Sequence, residues 1–287
     1  MLAAIKTYYR LTKPGIIYGN LVTTTAGFLL ASKGHVNLQL LLATLVGVSL
    51  IIAMACVVNN YIDRGIDAKM ARTRRRALVT GAIKGWQALV FAVVLGVVGF
   101  TALALWTNQL TVLLGMIASF VYIVLYGISK RRSVHGTLVG SIAGALPPVA
   151  GYVAVTNQLD MGALLLFVIL TAWQMPHFYA IAMSRLGDYT SAHLPVLPVK
   201  NGTEVTKRYI VGYILVFIAA TLLLSVYSYT GAVYAIVMTL AGFAWLRLAY
   251  GGWTASDDGA WARRVFGYSL LILLLFSLMI SVAVYLP

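Results

Sequence analysis

The chain has 287 residues, 61% of them apolar and only 10% charged, with a mean hydropathy of +0.91. A soluble domain carries about 45–50% apolar and about 25% charged residues, so these proportions exclude a soluble globular fold. Lys and Arg outnumber Asp and Glu by 21 to 7, and the excess sits in short segments between apolar runs, where it sets membrane topology rather than marking a nucleic-acid surface.

In chain order, nine apolar runs read as spanning helices: roughly 16–32, 39–60, 86–107, 110–128, 137–156, 161–183, 209–229, 232–250 and 266–286. The first is flanked by Lys6, Arg10 and Lys13 in the manner of a signal peptide, but eight more runs follow, so it reads as an uncleaved helix. Twenty of the 21 basic residues lie at the N-terminus or in 61–85, 129–136, 184–208 and 247–265, and only Lys33 falls on the other side. The positive-inside rule therefore places the N-terminus and those loops in the cytoplasm and Pro287 on the far side. No linker or soluble module interrupts the runs, so residues 1–287 read as one all-α, polytopic membrane domain. Cys56, the single cysteine, lies in an apolar run and reads as a packing residue; no internal disulfide is available.

Asp63 and Asp67 stand out among the seven acids. Asn59, Asp63 and Asp67 recur every four residues, so a second helix extended through them would carry all three oxygen-bearing side chains on one face. Hard oxygen ligands of this kind suit magnesium, which takes its remaining oxygens from water and substrate phosphates. Lys69, Arg72, Arg74, Arg75 and Arg76 follow, and guanidinium groups match phosphate oxygens in pairs. The stretch reads either as a site for a metal-bound diphosphate or as a helix end with charge pairs and topological arginines; spacing alone leaves both open. Asp188 lies at the cytoplasmic end of the sixth run, four helices on, which suggests two corresponding halves. Asp160, Glu204, Asp257 and Asp258 read as solvated or surface-paired charges.

Further residues narrow the reading. They are Leu11-Thr12-Lys13-Pro14-Gly15-Ile16, Asn59-Asn60-Tyr61-Ile62-Asp63 with Asp67, and Arg72-Thr73 with Arg76. Gly144-Ala145 with Pro147-Pro148, Gln174-Met175-Pro176-His177, Asp188-Tyr189 and Pro195-Val196-Leu197-Pro198-Val199 complete them. With these, nearly the whole chain resembles the UbiA superfamily of intramembrane prenyltransferases, and the Pro-His and Asp-Tyr segments resemble its haem-modifying branch. One departure is that the position four after Asp188 is Ala192, where many members carry a second acid.

The resemblance implies nine helices around a central cavity in a bacterial inner membrane. It implies transfer of farnesyl from farnesyl diphosphate to a vinyl group of haem B, with water, to give haem O and diphosphate. On that footing Asp63, Asp67 and Asp188 are expected to hold Mg2+ with help from Asn59. Arg72, Arg76, Lys130, Arg131 and Lys13 are expected to hold the diphosphate, and Arg74 and Arg75 either to join them or to anchor the loop. His177, just after Pro176, and His193 are candidate haem contacts; a helix-bound His177 bonded to carbonyls freed by Pro176 is the competing account. Trp173, Phe178 and Tyr179 read as interfacial anchors or as π faces shielding a cation. Gly136, Gly140 and Gly144 suggest a close helix approach, and Pro147-Pro148 a broken helix. A haem-processing enzyme or terminal oxidase downstream is a further implied partner. Competing functions are a sister enzyme acting on an aromatic quinone precursor and a transporter of anionic lipid or phosphate.

Overall fold

The computed structural model describes residues 2–287, and the described chain is almost entirely helical. Among these residues nine helices are long and apolar enough to cross a membrane, as the hydropathy pattern predicts. A short amphipathic helix, α1 (Leu2–Leu11), precedes them. Then follow α2 (Pro14–Ser32), α3 (Leu38–Asp67), α4 (Gly85–Trp106) and α5 (Gln109–Phe120). A π-helical turn at Val121–Leu125 joins α5 to α6 (Tyr126–Arg132), so that the two form one span. The remainder are α7 (Gly136–Thr156), α8 (Met161–Ser184), the short α9 (Leu186–Ser191), α10 (Leu197–Val226), α11 (Ala232–Tyr250) and α12 (Asp258–Ser281).

Helices in lipid gain nothing by hiding apolar surface from their surroundings, so close packing of small residues holds them together. The α4 helix shows the resulting inverted pattern: Ala88, Ala92, Gly96, Gly99 and Ala102 are buried, while Val90, Val93, Val94, Val97 and Leu105 are exposed. A Cβ on Gly99 would lie 3.0 Å from the Leu50 side chain of α3 and 3.2 Å from the Gly47 carbonyl. The closest backbone approach is between α2 and α7, where Gly27 abuts the Pro148 carbonyl and Gly151 abuts the Thr24 carbonyl. Large side chains fill the other half, with Phe217, Trp245 and Phe276 meeting edge to face between α10, α11 and α12.

Several expected boundaries shift, for one physical reason. Hydropathy marks where a chain leaves the apolar slab, whereas helical hydrogen bonding continues for as long as the backbone permits. Thus α3 runs on to Asp67 and α12 begins at Asp258, while α10, which starts at Leu197, is kinked at Gly202 (φ 83°) before its apolar run. Asp257 caps α12 by accepting from the backbone N–H groups of Gly259 and Ala260 at 2.7 and 3.0 Å. Asp160 likewise caps α8 and accepts from the Tyr152 hydroxyl at 2.9 Å, so neither acid is a merely solvated loop charge. Pro147 and Pro148 do not break α7, which runs unbroken from Gly136 to Thr156. The spaced glycines of α7 do not admit a neighbouring helix backbone along their whole length. Gly140 receives the Tyr126 ring and Gly144 the Gln174 side chain, and only Gly136 meets backbone, that of Lys130 at the end of the preceding span.

The α2–α7 contact predicts a graded response. Gly27→Ala and Gly151→Ala, whose added methyl meets a carbonyl, should each cost about 1–3 kcal/mol. They should lower the melting temperature in detergent, whereas Gly19→Ala, with open space around its Cα, should leave it unchanged.

Candidate active site

The helical extension of α3 puts Asn59, Asp63 and Asp67 on one face, and all three are buried. Each has its oxygen held by a cation from another part of the chain. Lys13, at the turn between α1 and α2, donates from Nζ to Asn59 Oδ1 at 2.9 Å. Lys130 at the end of α6 forms an ion pair with Asp63 Oδ2, and Arg131 donates to Asp63 Oδ1 at 3.0 Å and to the Ile62 carbonyl at 2.9 Å. Arg76 donates to Asp67 Oδ2 at 2.7 Å and to Asn60 Oδ1 at 3.1 Å. Burial pushes the Lys13 ammonium down to about 8, with the positive charge of Arg76 adding to the effect and Cys56 and Asp63 opposing it.

Local sequence explains how the cations arrive. The π-helical turn at Val121–Leu125 rephases the span, and π turns of this kind are frequent at functional sites. Tyr122 within the turn stacks on Tyr126 just after it at 5.6 Å, and the Lys130 ammonium lies over the Tyr126 ring at 4.8 Å. Lys130 and Arg131, read from hydropathy as loop residues, are therefore helical. Lys13 takes left-handed backbone angles (φ 55°) ahead of Pro14, which lets the chain turn and points its stem toward α3. Arg76 is held by the folded 68–84 segment, where the Thr73 hydroxyl donates to the Asp67 carbonyl at 2.9 Å.

Asp188 is not at the end of the long α8 helix. That helix stops at Ser184, Arg185 leaves helical angles, and Asp188 lies in the first turn of the separate α9. From there it meets the 68–76 segment: its Oδ1 accepts from the Ala71 N–H at 3.3 Å, and the Ser191 hydroxyl donates to the Lys69 carbonyl at 3.5 Å. The two acidic loops thus touch, but no three His, Cys, Asp or Glu side chains converge tightly enough to hold a metal among the described residues. The donors on α3 suit magnesium in chemistry, and the Asn59 Nδ2 group is a buried donor with no partner. Arg72, Arg74 and Arg75 are exposed on the same segment.

His177 is not bonded to carbonyls freed by Pro176. Its Nδ1 lies 2.8 Å from the Ser269 hydroxyl of α12. That hydroxyl gives its single proton to the Phe266 carbonyl at 2.6 Å, so Nδ1 must carry the proton and donate, which leaves the Nε2 lone pair free. Trp173 stacks on the imidazole at 4.8 Å and donates from its indole nitrogen to the Ser269 carbonyl at 2.8 Å. Trp173 and Tyr179 are buried, not interfacial, and Phe178 is exposed. His193 is exposed, in the left-handed region at φ 54° just after α9.

Two residues of this network escaped the sequence reading. Asn60 donates to the Leu11 carbonyl at 2.8 Å while accepting from Arg76, and so ties α1 to the charged set. Its position directly beside Asn59 was the available signal. Ser269, inside an apolar run, offered none.

The UbiA prenyltransferase family matches residues 20–283. The chain belongs to that family. The chain is 50% identical over 279 residues to Protoheme IX farnesyltransferase 2 of Pseudomonas fluorescens (strain Pf0-1), covering 97% of this chain and 95% of that one. It is 49% identical to Protoheme IX farnesyltransferase of Citrobacter koseri, covering 98% and 96%. Among solved UbiA-type folds, one from a study of digeranylgeranylglyceryl phosphate synthase superposes with a TM-score of 0.79 at 18% identity, covering 98% of both chains. A UbiA homologue from Archaeoglobus fulgidus bound to GPP and Mg2+ gives 0.73 at 14% identity, covering 93% of this chain and 99% of that one. Nine apolar helices in this UbiA fold make the chain an integral membrane protein.

The charge pairing predicts a specific stability pattern. The Asp63 and Lys130 side chains are 12% and 13% exposed, so Asp63→Asn strands a largely buried ammonium and should cost on the order of 3 kcal/mol. Asp63→Asn/Lys130→Met should recover most of the melting temperature in detergent, although Asp63 itself remains lost.

Proposed function

We propose that this chain transfers farnesyl from farnesyl diphosphate to a vinyl group of haem B, with addition of water, releasing haem O and diphosphate. The observation that carries this reading is identity near 50% to protohaem IX farnesyltransferases across almost the whole chain. The two competing readings, an aromatic quinone-precursor acceptor and a transporter, find no support among those relatives. The charged face of α3 supplies the chemistry that the reaction needs.

Asp63, Asp67 and Asn59, with Asp188 from the loop opposite, would hold magnesium, their oxygens being exchanged from Lys130, Arg131, Arg76 and Lys13 as those cations turn to the diphosphate. When bound, magnesium neutralises the charge that builds on the departing diphosphate. The chain's own cations hold that diphosphate in place: Arg76 and Arg131 by paired N–H bonds, Lys130 and Lys13 as point charges, with Arg72 from the exposed segment closing on it. Breaking the allylic carbon–oxygen bond leaves the electron pair on the diphosphate oxygen and a farnesyl cation. The haem vinyl group attacks that cation with its π electrons. Water then adds to the new cation, and loss of one proton leaves a hydroxyl.

The acceptor is placed by the His177 cluster. The free Nε2 lone pair suits a haem iron, and Ser269 and Trp173 fix the ring that carries it. His193 lies beside Asp188 on the loop that would cover the site. The basic bias of one face supports a bacterial inner-membrane location with a cytoplasmic N-terminus and a periplasmic C-terminus. Residues 1–287 act as a single transmembrane domain. A haem-processing enzyme or terminal oxidase would take the product onward.

Membranes containing the protein, given haem B, farnesyl diphosphate and magnesium, should yield a more hydrophobic haem, heavier by one farnesyl group and one hydroxyl, with none after chelation. Asp63→Asn or Asp67→Asn should lower kcat by about 10²–10³. Unchanged haem B from well-folded protein would overturn the assignment. Ser269→Ala should weaken haem binding about tenfold in an absorbance titration without moving the KM for farnesyl diphosphate.

A further inference from the structure

A second basic site lies away from the charged face of α3, where α11 turns into α12. The connection is short: a 3-10 turn at Gly251–Thr254 leads to the capped start of α12. Beneath it is a cavity of about 560 Å³ lined by Arg247, Arg264, Thr254, Ser256, Leu248 and Trp261. Its floor is rigid. Trp261 is fully buried and donates from its indole nitrogen to the Leu248 carbonyl at 2.9 Å. Gly252 packs on that indole so closely that a Cβ would come within 2.6 Å of it.

The charges at this site do not cancel. The nearby acids are engaged elsewhere: Asp258 pairs with the buried Lys207 at 2.9 Å, and Asp257 caps α12 and lies 3.9 Å from Arg263. Among the described residues, Arg247 and Arg264 form no ion pair. Two guanidinium groups and the Ser256 hydroxyl therefore face one cavity as donors matched to phosphate oxygens, while the Thr254 hydroxyl donates to the Gly251 carbonyl at 3.3 Å.

Below the arginines the helices present apolar rows in register. On α11, Leu240 and Phe243 lie seven and four residues before Arg247; on α12, Leu271 and Leu274 lie seven and ten after Arg264. All four are exposed, and Gly267, between Arg264 and Leu271 on the α12 row, has open space around it. Tyr250 and Trp253, exposed with ring centroids 5.5 Å apart, stand at the level of the arginines, where interfacial aromatics belong. Donors for a phosphate at the interface and apolar rows running into the bilayer describe a phospholipid.

We propose that the cavity between Arg247 and Arg264 binds the phosphodiester headgroup of an anionic membrane phospholipid, whose acyl chains lie along the exposed rows of α11 and α12. The site shares no residue with the set proposed for farnesyl transfer. The bidentate fork of arginine is needed, so lysine should be a poor replacement.

The test uses the full-length protein in neutral detergent, titrated with phosphatidylglycerol or phosphatidylcholine and read by native mass spectrometry. Phosphatidylglycerol should be retained at least tenfold more strongly than phosphatidylcholine. Arg247→Gln/Arg264→Gln should abolish that preference with melting temperature and basal transfer activity unchanged. Arg247→Lys/Arg264→Lys should fold normally and reduce the preference at least threefold, which keeps the test decisive if the glutamine pair fails to fold. Equal retention of the two lipids, or full preference in both variants, would overturn the proposal. Displacement of the lipid by millimolar inorganic phosphate would assign the arginines to a free anion and overturn the lipid as occupant; no displacement supports it.

Discussion

Two carboxylates buried at the end of a membrane helix impose the constraint on which the rest of this structure depends. A charge withdrawn from water is tolerated only beside an opposite charge with good geometry. Asp63 and Asp67 meet that condition with Lys130, Arg131 and Arg76, drawn from a distant span and from the folded 68–84 segment. Asn59 and Asn60 extend the set to Lys13 and to the Leu11 carbonyl. One face of α3 therefore fixes where α1, α2, α6 and the loop before α4 must lie. The cations that neutralise the acids in the free protein are the same ones that can turn to an incoming diphosphate.

Such an arrangement needs a frame that does not slip. The frame comes from small residues: Gly47, Gly96 and Gly99 between α3 and α4, and Gly27 and Gly151 between α2 and α7. Side chains as large as valine face outward, the reverse of a soluble helix. The opposite half is locked by size instead, with Trp245, Trp261, Phe217 and Phe276 buried between α10, α11 and α12. His177 lies against that half through Ser269 and Phe266 of α12, so the candidate haem contact and the charged set are held by different parts of the bundle.

The spans and the shared face of Asn59, Asp63 and Asp67 were legible in the chain because both depend on period and apolarity within a few residues of sequence. Lys130 and Arg131 were legible as basic residues but not as helical ones, since their span continues past the point where apolarity ends. Asp188 was misplaced for the converse reason: Arg185 departs from helical angles without any glycine or proline at that position to announce it. The free Nε2 of His177 could not be read at all. It follows from a hydroxyl 92 positions away whose single proton is already given to a carbonyl. Lys207 belongs with these: it looks like an ordinary loop lysine, yet it is buried and joins Glu204 to Asp258.

The two acids of α3 also differ in when their partners exist. Asp67 is paired with Arg76, nine positions on, whereas Asp63 waits for Lys130, 67 positions later. At a synthesis rate of about 5–20 residues per second, that separation is roughly 3–13 s. Throughout this interval Asp63 lacks the lysine with which it forms its ion pair. A nascent helix with a bare carboxylate at its end is held at the aqueous edge of the bilayer rather than drawn inward. The same aspartate that later anchors the cation set thus acts during biosynthesis as a depth stop, setting how far α3 sinks before the spans that bury it have been made.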